Sequence, residues 1–519
     1  MAQLEMVKDK NIDFVTIDGS SLTVDKVVAV ARYRKKVNVS PQSIKKMEMS
    51  RNMVESLISQ GKVVYGVTTG FGKFSNVGID QRETEQLQEN LIISHAVGIG
   101  NPFPEEVVRG VMLLRANALS KGYSGIRLEV VKTLLEMLNK GVHPVIPEKG
   151  SLGASGDLAP LAHMVLVMIG RGEAYYQGIR MTGRTAMERA GIPTVRLKAK
   201  EGLALINGTQ VMTAIGALAL NDALCMAKTA DITAAMTCEA LEGITAAFDH
   251  KVHDVRPHRG QRLVAANLRS LLDKSEIIAS AKHDRVQDAY ALRCVPQVHG
   301  ASRDVMDYVR GVLEIEINSV TDNPIIFPEE GEVISGGNFH GQPVALAMDF
   351  LCIAMSELAN IAERRIERLV NPALSGGLPA FLTTNGGLNS GYMIAQYVAA
   401  SLVSENKGMS FPASVDSIPS SANQEDHVSM GTIAARKASK ILENAWSVLA
   451  IELVCAAQGI DIRGGKPSKG TGAAYRSVRR EIPYLDKDRE LRFDLEKAQE
   501  LIRSNTILKE VEKAIGPID

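Results

Sequence analysis

The chain has 519 residues, 45% of them hydrophobic, and its 59 Lys plus Arg are matched by 59 Asp plus Glu. That length leaves room for two or three domains or for one large helical body, and the apolar fraction supports a substantial core. The absence of a basic excess argues against a nucleic-acid partner, and the absence of an acidic tail leaves a small molecule as the expected ligand. Cys225, Cys238, Cys294, Cys352 and Cys455 are odd in number and lack CxxC spacing, which fits reduced thiols in a cytoplasmic protein. The opening MAQLEMVKDKNIDF has no basic-then-apolar leader. No run is expected to reach the roughly 20 apolar residues of a membrane span.

In chain order, the alternating stretch FVTIDGSSLTV (Phe14 to Val24) predicts a small strand pair around an Asp18-Gly19 turn. Most of the remainder has helical period. Segments 105–121, 211–239, 341–364, 386–403, 432–457 and 486–503 are rich in Ala, Leu, Met, Glu and Lys, with apolar residues three and four apart. The 341–364 run is apolar around most of its circumference, as expected of a helix buried among others or at a subunit interface. Gly-, Ser- and Asn-rich loops fall at 66–72, 150–157, 335–342, 375–391 and 413–431, and such loops on a rigid scaffold are where function concentrates. The expected fold is mainly α, with long central helices and a small α/β N-terminal lobe. Residues 1–210 form that lobe and 211–519 the helix bundle, within one continuous unit.

Several common sites are excluded by their residues. The chain has no HExxH, no Walker A loop and no GxGxxG after a strand. Ser155 in GASGD is not a nucleophile elbow, because Asp157 stands where GxSxG needs glycine. Ala154-Ser155-Gly156 has a different capability. With minimal side chains at Gly153, Ala154 and Gly156, the Gly156 nitrogen can approach the Ala154 carbonyl carbon and close a five-membered ring. Loss of water from Ser155 then leaves an exocyclic methylidene, an electrophile that no side chain offers. Asp157 is a candidate N-cap for the helix that follows, Pro160 is acceptable in its first turn, and its positive end would face the ring. Taken alone, the tripeptide is far more often the mark of a Gly-rich turn before a helix.

The surroundings decide between these readings. GSLGASGDLAPLAHM (150–164) resembles the segment that forms the 4-methylideneimidazole-5-one (MIO) group in aromatic amino acid ammonia-lyases and 2,3-aminomutases. YGVTTGFG (65–72), SHAVGIG (94–100), INGTQ (206–210), RVQDAYALRC (285–294), SGGNFHGQP (335–343) and SANQEDHVSMG (421–431) follow that family's order over nearly the whole chain. Within the family, the SH pair and the NFHGQP and QEDHVSM loops most resemble the histidine-specific ammonia-lyases.

The resemblance implies the helical architecture of the ammonia-lyase and fumarase superfamily and a role for each matched residue. Tyr65 corresponds to the family's catalytic base, and its phenol, ordinarily titrating near 10, needs neighbours that favour phenolate. Arg293 would clamp the substrate carboxylate with its planar guanidinium. Gln287, Tyr290 and Arg293 are spaced three apart and are expected on one helical face, with the Tyr290 hydroxyl assisting proton transfer beside the MIO ring. Asn207 resembles a residue that holds the amine or carboxylate side of the substrate, and Phe339 one that shapes the MIO pocket. His95 would pair with the donor and acceptor of a substrate imidazole, and Glu425 would accept from that ring or receive a proton. A phenyl ring needs neither charge, and an unpaired buried Glu425 would be costly.

The resemblance therefore implies elimination of ammonia from L-histidine to give trans-urocanate. The electrophile is MIO made from Ala154, Ser155 and Gly156, with no metal or diffusible cofactor. It also implies a homotetramer whose active sites combine loops from three chains. A tyrosine or phenylalanine lyase or aminomutase is the neighbouring alternative, and a non-catalytic helical scaffold the distant one.

Overall fold

The computed structural model describes residues 14–61, 69, 83–282 and 285–519, and helices make up 62% of the structure. Phe14–Ile17 is a strand with Val15 and Ile17 buried. It pairs in parallel with Lys36–Val39, not with the residues directly after it, which corrects the expected strand pair around Asp18-Gly19. The reason is local hydrogen bonding. Asp18 Oδ1 accepts from the Ser20 and Ser21 amides at 2.7 and 2.8 Å, and Thr23 Oγ1 accepts from Lys26 N, so Val24–Ala31 starts as a capped helix. That helix carries the chain across before the second strand begins. A three-stranded antiparallel sheet of Val142–Pro144, Glu173–Tyr176 and Ile179–Thr182 adds to the lobe.

Five long helices form the body: Gln210–Ala240, Val295–Ile317, Gln342–Val370, Met393–Met409 and Gly431–Arg463. The Gly431 helix packs along both the Gln342 and the Gln210 helices. At 33 residues it is about 50 Å long at the usual rise of an α-helix. Small residues let the backbones approach: Gly216 lies against Met348 and Leu313, and Gly459 against Ala240. Two buried charge networks lie between these helices. Arg365 Nη2 donates to Glu452 Oε2 at 3.0 Å, and Thr233 and Thr237 donate to the same carboxylate. Asp231 similarly accepts from Arg303 and Asn267 and pairs with His299. One hydrophobic cluster runs from Val15 to Ile518.

Three further expectations need correction. The helix expected over 386–403 begins at Met393, and that expected over 486–503 begins at Leu491. One contact accounts for both: the Asp488 carboxylate accepts from the Ser390 and Gly391 amides at 2.7 and 2.9 Å, holding the two segments together as loops. In addition, Gln210–Ala240, Gln342–Val370 and Gly431–Arg463 are each long and apolar enough to cross a membrane by composition, although no such run was expected. Their apolar windows are 78%, 67% and 83% buried within the fold, so most of that surface is already covered by protein. No cysteine is in a disulfide; burial raises the Cys225 thiol to about 11 and the Cys352 thiol to about 12.

Candidate active site

The Ser155 loop joins the strand Pro147–Lys149 to the helix Leu158–Met168. Gly153 and Gly156 have φ of +74° and +75°, a region that favours glycine, so the chain turns sharply on both sides of Ala154-Ser155. Neither position has room for a side chain. A Cβ on Gly153 would meet Ser429 Oγ, and one on Gly156 would meet the carbonyl of Gly208. Gly156 and Gly208 form an isolated parallel bridge, and the Asp157 amide donates to Gly208 O at 2.7 Å. The backbone is thus pinned at the residue whose nitrogen would close the ring. Small side chains, two left-handed glycines and this clamp fit the MIO group.

Asp157 precedes the Leu158 helix, as expected, but its carboxylate does not cap that helix. Its Oδ2 instead accepts from the Val211 and Met212 amides at 2.8 and 3.0 Å, so it caps the Gln210 helix. Its Oδ1 accepts from Ser151 Oγ at 2.8 Å and from Thr432 Oγ1. Burial raises the Asp157 carboxyl above the ordinary carboxylate range, and these four hydrogen bonds oppose that shift. Two helix N-termini therefore converge beside Gly156, where a single one was expected.

The 420–430 loop closes over Ser155. Ser429 Oγ donates to Gly153 O and Met430 N to Leu152 O, both at 3.1 Å. Ser420 and Glu425 are bridged through their backbones across Ser421, Ala422 and Asn423, whose φ values are +52°, +52° and +65°. This reversal brings Glu425 to the serine: Ser155 Oγ donates to Glu425 Oε1 at 2.9 Å, and Ser420 Oγ to Glu425 Oε2 at 3.1 Å. His95 ends the helix Thr84–His95 and is half-buried, with Nδ1 3.1 Å from Ser94 Oγ. Burial lowers its pKa, while a bond at Leu91 and the negative charge of Glu425 act in the opposite direction.

Asn207 follows the helix Glu201–Ile206 and is buried. Its Nδ2 donates to Asn323 O at 3.2 Å, its backbone carbonyl accepts from Arg115 Nη1 at 2.9 Å, and its Oδ1 has no partner. An unpaired buried amide oxygen next to Gly208 is an acceptor left for a ligand. Asn323 Oδ1 also accepts from Gly336 N at 2.8 Å, tying this turn to the loop in which Phe339 sits half-buried. In that same loop, His340 stacks on His427 with ring centroids 5.7 Å apart.

The second motif group is on the segment that contains the short helix Tyr290–Arg293. Only Tyr290–Arg293 is helical, and Gln287 lies in the bend before it, so the single helical face expected for Gln287, Tyr290 and Arg293 is corrected to a shared segment. The Arg293 guanidinium carbon lies 4.7 Å from the Tyr290 ring centroid. Tyr290 is 70% exposed and the Arg293 Nε has no partner. Among the described residues, no hydrogen bond or ion pair joins this segment to the Ser155 cluster. Tyr65 lies outside the described residues.

With this geometry in place, comparison with known proteins is informative. A sequence model described as "Aromatic amino acid lyase" matches residues 22–480. The chain belongs to the aromatic amino acid lyase family. It is 62% identical over 502 residues to a histidine ammonia-lyase of Alkaliphilus oremlandii, covering 96% of this chain and 99% of that one. The crystal structure of the histidine ammonia-lyase of Trypanosoma cruzi superposes with a TM-score of 0.90 at 43% identity, over 97% of this chain and 96% of that one. A tyrosine aminomutase from Streptomyces globisporus superposes with a TM-score of 0.93 at 40% identity, over 97% of this chain and all of that one. The structural neighbours of this lyase-family chain include lyases and aminomutases. Sequence reasoning on it missed Gly208, Ser420, Ser429 and Thr432. Gly208 and Ser429 lie inside motifs already singled out, but their partners are distant in sequence.

Proposed function

We propose that this protein is a histidine ammonia-lyase that converts L-histidine to trans-urocanate and ammonia, with an MIO group made from Ala154, Ser155 and Gly156. The observation that carries the reading is Glu425 on the Ser155 hydroxyl, with His95 feeling its charge. An imidazole-reading pair beside the electrophile suits histidine better than a phenyl or phenol ring. The ring supplies an electrophile for the substrate. Tyr65 takes the β-proton, Arg293 holds the carboxylate, and Asn207 offers its unpaired Oδ1 to the amine. Gln287 and Phe339 line the pocket, and the Tyr290 hydroxyl assists proton transfer.

The proposal extends to a cytoplasmic homotetramer whose active sites combine residues from three chains. In support, Tyr290 and Arg293 make no hydrogen bond or ion pair to the Ser155 cluster among the described residues of their own chain, and Tyr308, Ile315, Phe350 and Ile353 are exposed on the Val295 and Gln342 helices. The test is incubation of the purified protein with L-histidine, L-tyrosine and L-phenylalanine separately, following the ultraviolet absorbance of each conjugated acid. Absorbance should rise with histidine alone; no rise with histidine refutes the reading. The likeness to a tyrosine aminomutase favours one second reading. It is recognised by a β-amino acid product from tyrosine.

A further inference from the structure

Ser155 and Glu425 are 270 residues apart in sequence, yet the serine hydroxyl donates to the carboxylate at 2.9 Å. Ser155 Oγ is the oxygen that ring maturation has to remove. Glu425 is held for it from both sides. Ser420 Oγ occupies Oε2, and the backbone exchange between Ser420 and Glu425, at 2.9 and 3.3 Å, fixes the carboxylate at the end of its left-handed reversal. Among the described residues, Glu425 is the one side chain hydrogen-bonded to Ser155 Oγ. Both residues are half-buried, so solvent reaches them.

Resting on the ring assignment above, we propose that Glu425 has an earlier task than reading substrate: it is the proton donor that carries off the Ser155 hydroxyl when the ring matures. In the first step the Gly156 nitrogen bonds to the Ala154 carbonyl carbon. The carbonyl oxygen leaves as water with the Gly156 and Ser155 amide protons, leaving a C=N bond between Ala154 and Ser155. The Ser155 Cα then lies between C=N and C=O, which acidifies its proton, so loss of the hydroxyl follows ring closure. In that second step water takes the Cα proton and its electron pair becomes the Cα=Cβ bond. Glu425 first takes a proton from solvent, so that the 2.9 Å contact, in which it otherwise accepts, can donate. The Cβ–Oγ bond then breaks with its pair on oxygen, Glu425 protonates the departing oxygen and is left as the carboxylate, and the net change is loss of a second water. Hydroxide is a poor leaving group, and a positioned acid accelerates such a step by about 10²- to 10⁴-fold. Departure of the hydroxyl also frees Glu425 Oε1 beside the new methylidene carbon, so maturation opens the acceptor that the imidazole of the substrate would use.

The test is cell-free synthesis of the full-length wild type, Glu425→Gln and Glu425→Asp, with intact mass and near-ultraviolet absorbance followed over time. Gln keeps the shape and hydrogen-bonding capacity but has no proton of suitable acidity to transfer. Wild type should lose two waters. The Gln variant should lose the first at the wild-type rate and then pause, the second loss being slowed about 10²-fold or more, with absorbance delayed equally and Asp partly restoring it. Loss of both waters by Glu425→Gln at the wild-type rate overturns the proposal. So does retention of both, which would make Glu425 a requirement for the turn itself. A wild-type chain that retains both waters overturns the ring assignment, and this proposal with it.

Discussion

Replacing Asp157 by alanine tests how the cradle is held. The carboxylate accepts from the Val211 and Met212 amides and from the Ser151 and Thr432 hydroxyls. After truncation the two hydroxyls still have each other, since the Thr432 Oγ1 and Ser151 Oγ oxygens lie 3.1 Å apart and either can then donate. The two amides at the start of the Gln210 helix have no such recourse. Each buried unsatisfied donor costs about 1–3 kcal/mol, and relief of the buried carboxylate offsets part of this, leaving a loss of about 2–5 kcal/mol. Asp157→Asn should lose roughly half as much, because its amide oxygen still accepts from both backbone groups while the hydroxyls rotate to accept from its nitrogen. The assay is urea unfolding at one fixed protein concentration, with intact mass as a second readout, since a loosened Gly156–Gly208 clamp should also slow ring formation. An alanine variant that unfolds with wild-type stability, or an asparagine variant as damaged as alanine, would refute this account of the cap.

Other consequences are as direct. Gly156→Ala should give a folded chain that retains both waters in its mass, because at a φ of +75° its new Cβ meets Gly208; a two-water loss in this variant would show that the clamp is not needed. Burial, together with Arg109, pushes His143 from 6.5 down to about 4 despite nearby Glu105. The folded state therefore resists protonation, and its stability, full above pH 6.5, is lost as pH falls through 4 by about 2–3 kcal/mol. His143→Gln should flatten that limb of urea midpoints measured between pH 7 and 4, and an unchanged slope would clear His143. Glu452→Leu leaves Arg365 buried without a counter-ion and should destabilise by about 3–5 kcal/mol, with Arg365→Met in addition restoring much of the thermal midpoint; a double variant worse than the single would contradict this.

Much was legible because it is written in short stretches of chain. Apolar residues three and four apart marked the long helices, and the Gln210 helix was placed to within a residue at each end. Ala154-Ser155-Gly156, Ser94-His95 and the loops bearing Asn207, Phe339 and Glu425 stood out as motifs without reference to what they touch. Where sequence reasoning failed, a distant partner had intervened. Phe14–Ile17 was recognisable as a strand, but its pairing with Lys36–Val39 depended on a helix between them. Asp157 was recognisable as a cap, but the helix it caps begins at Gln210, not at the next residue. The late starts of the Met393 and Leu491 helices follow from Asp488 bonding a loop about 98 residues away.

By itself, then, the sequence determined the helical character and, through the resemblance of its motifs, the family, because propensity, periodicity and motifs act over a few residues. Only the tertiary structure decided that Glu425 sits on the Ser155 hydroxyl, that Gly208 clamps Gly156, and that Tyr290 is left exposed in this chain. Those are hydrogen bonds and exposures between segments up to 270 residues apart, and they exist only once the helices have packed.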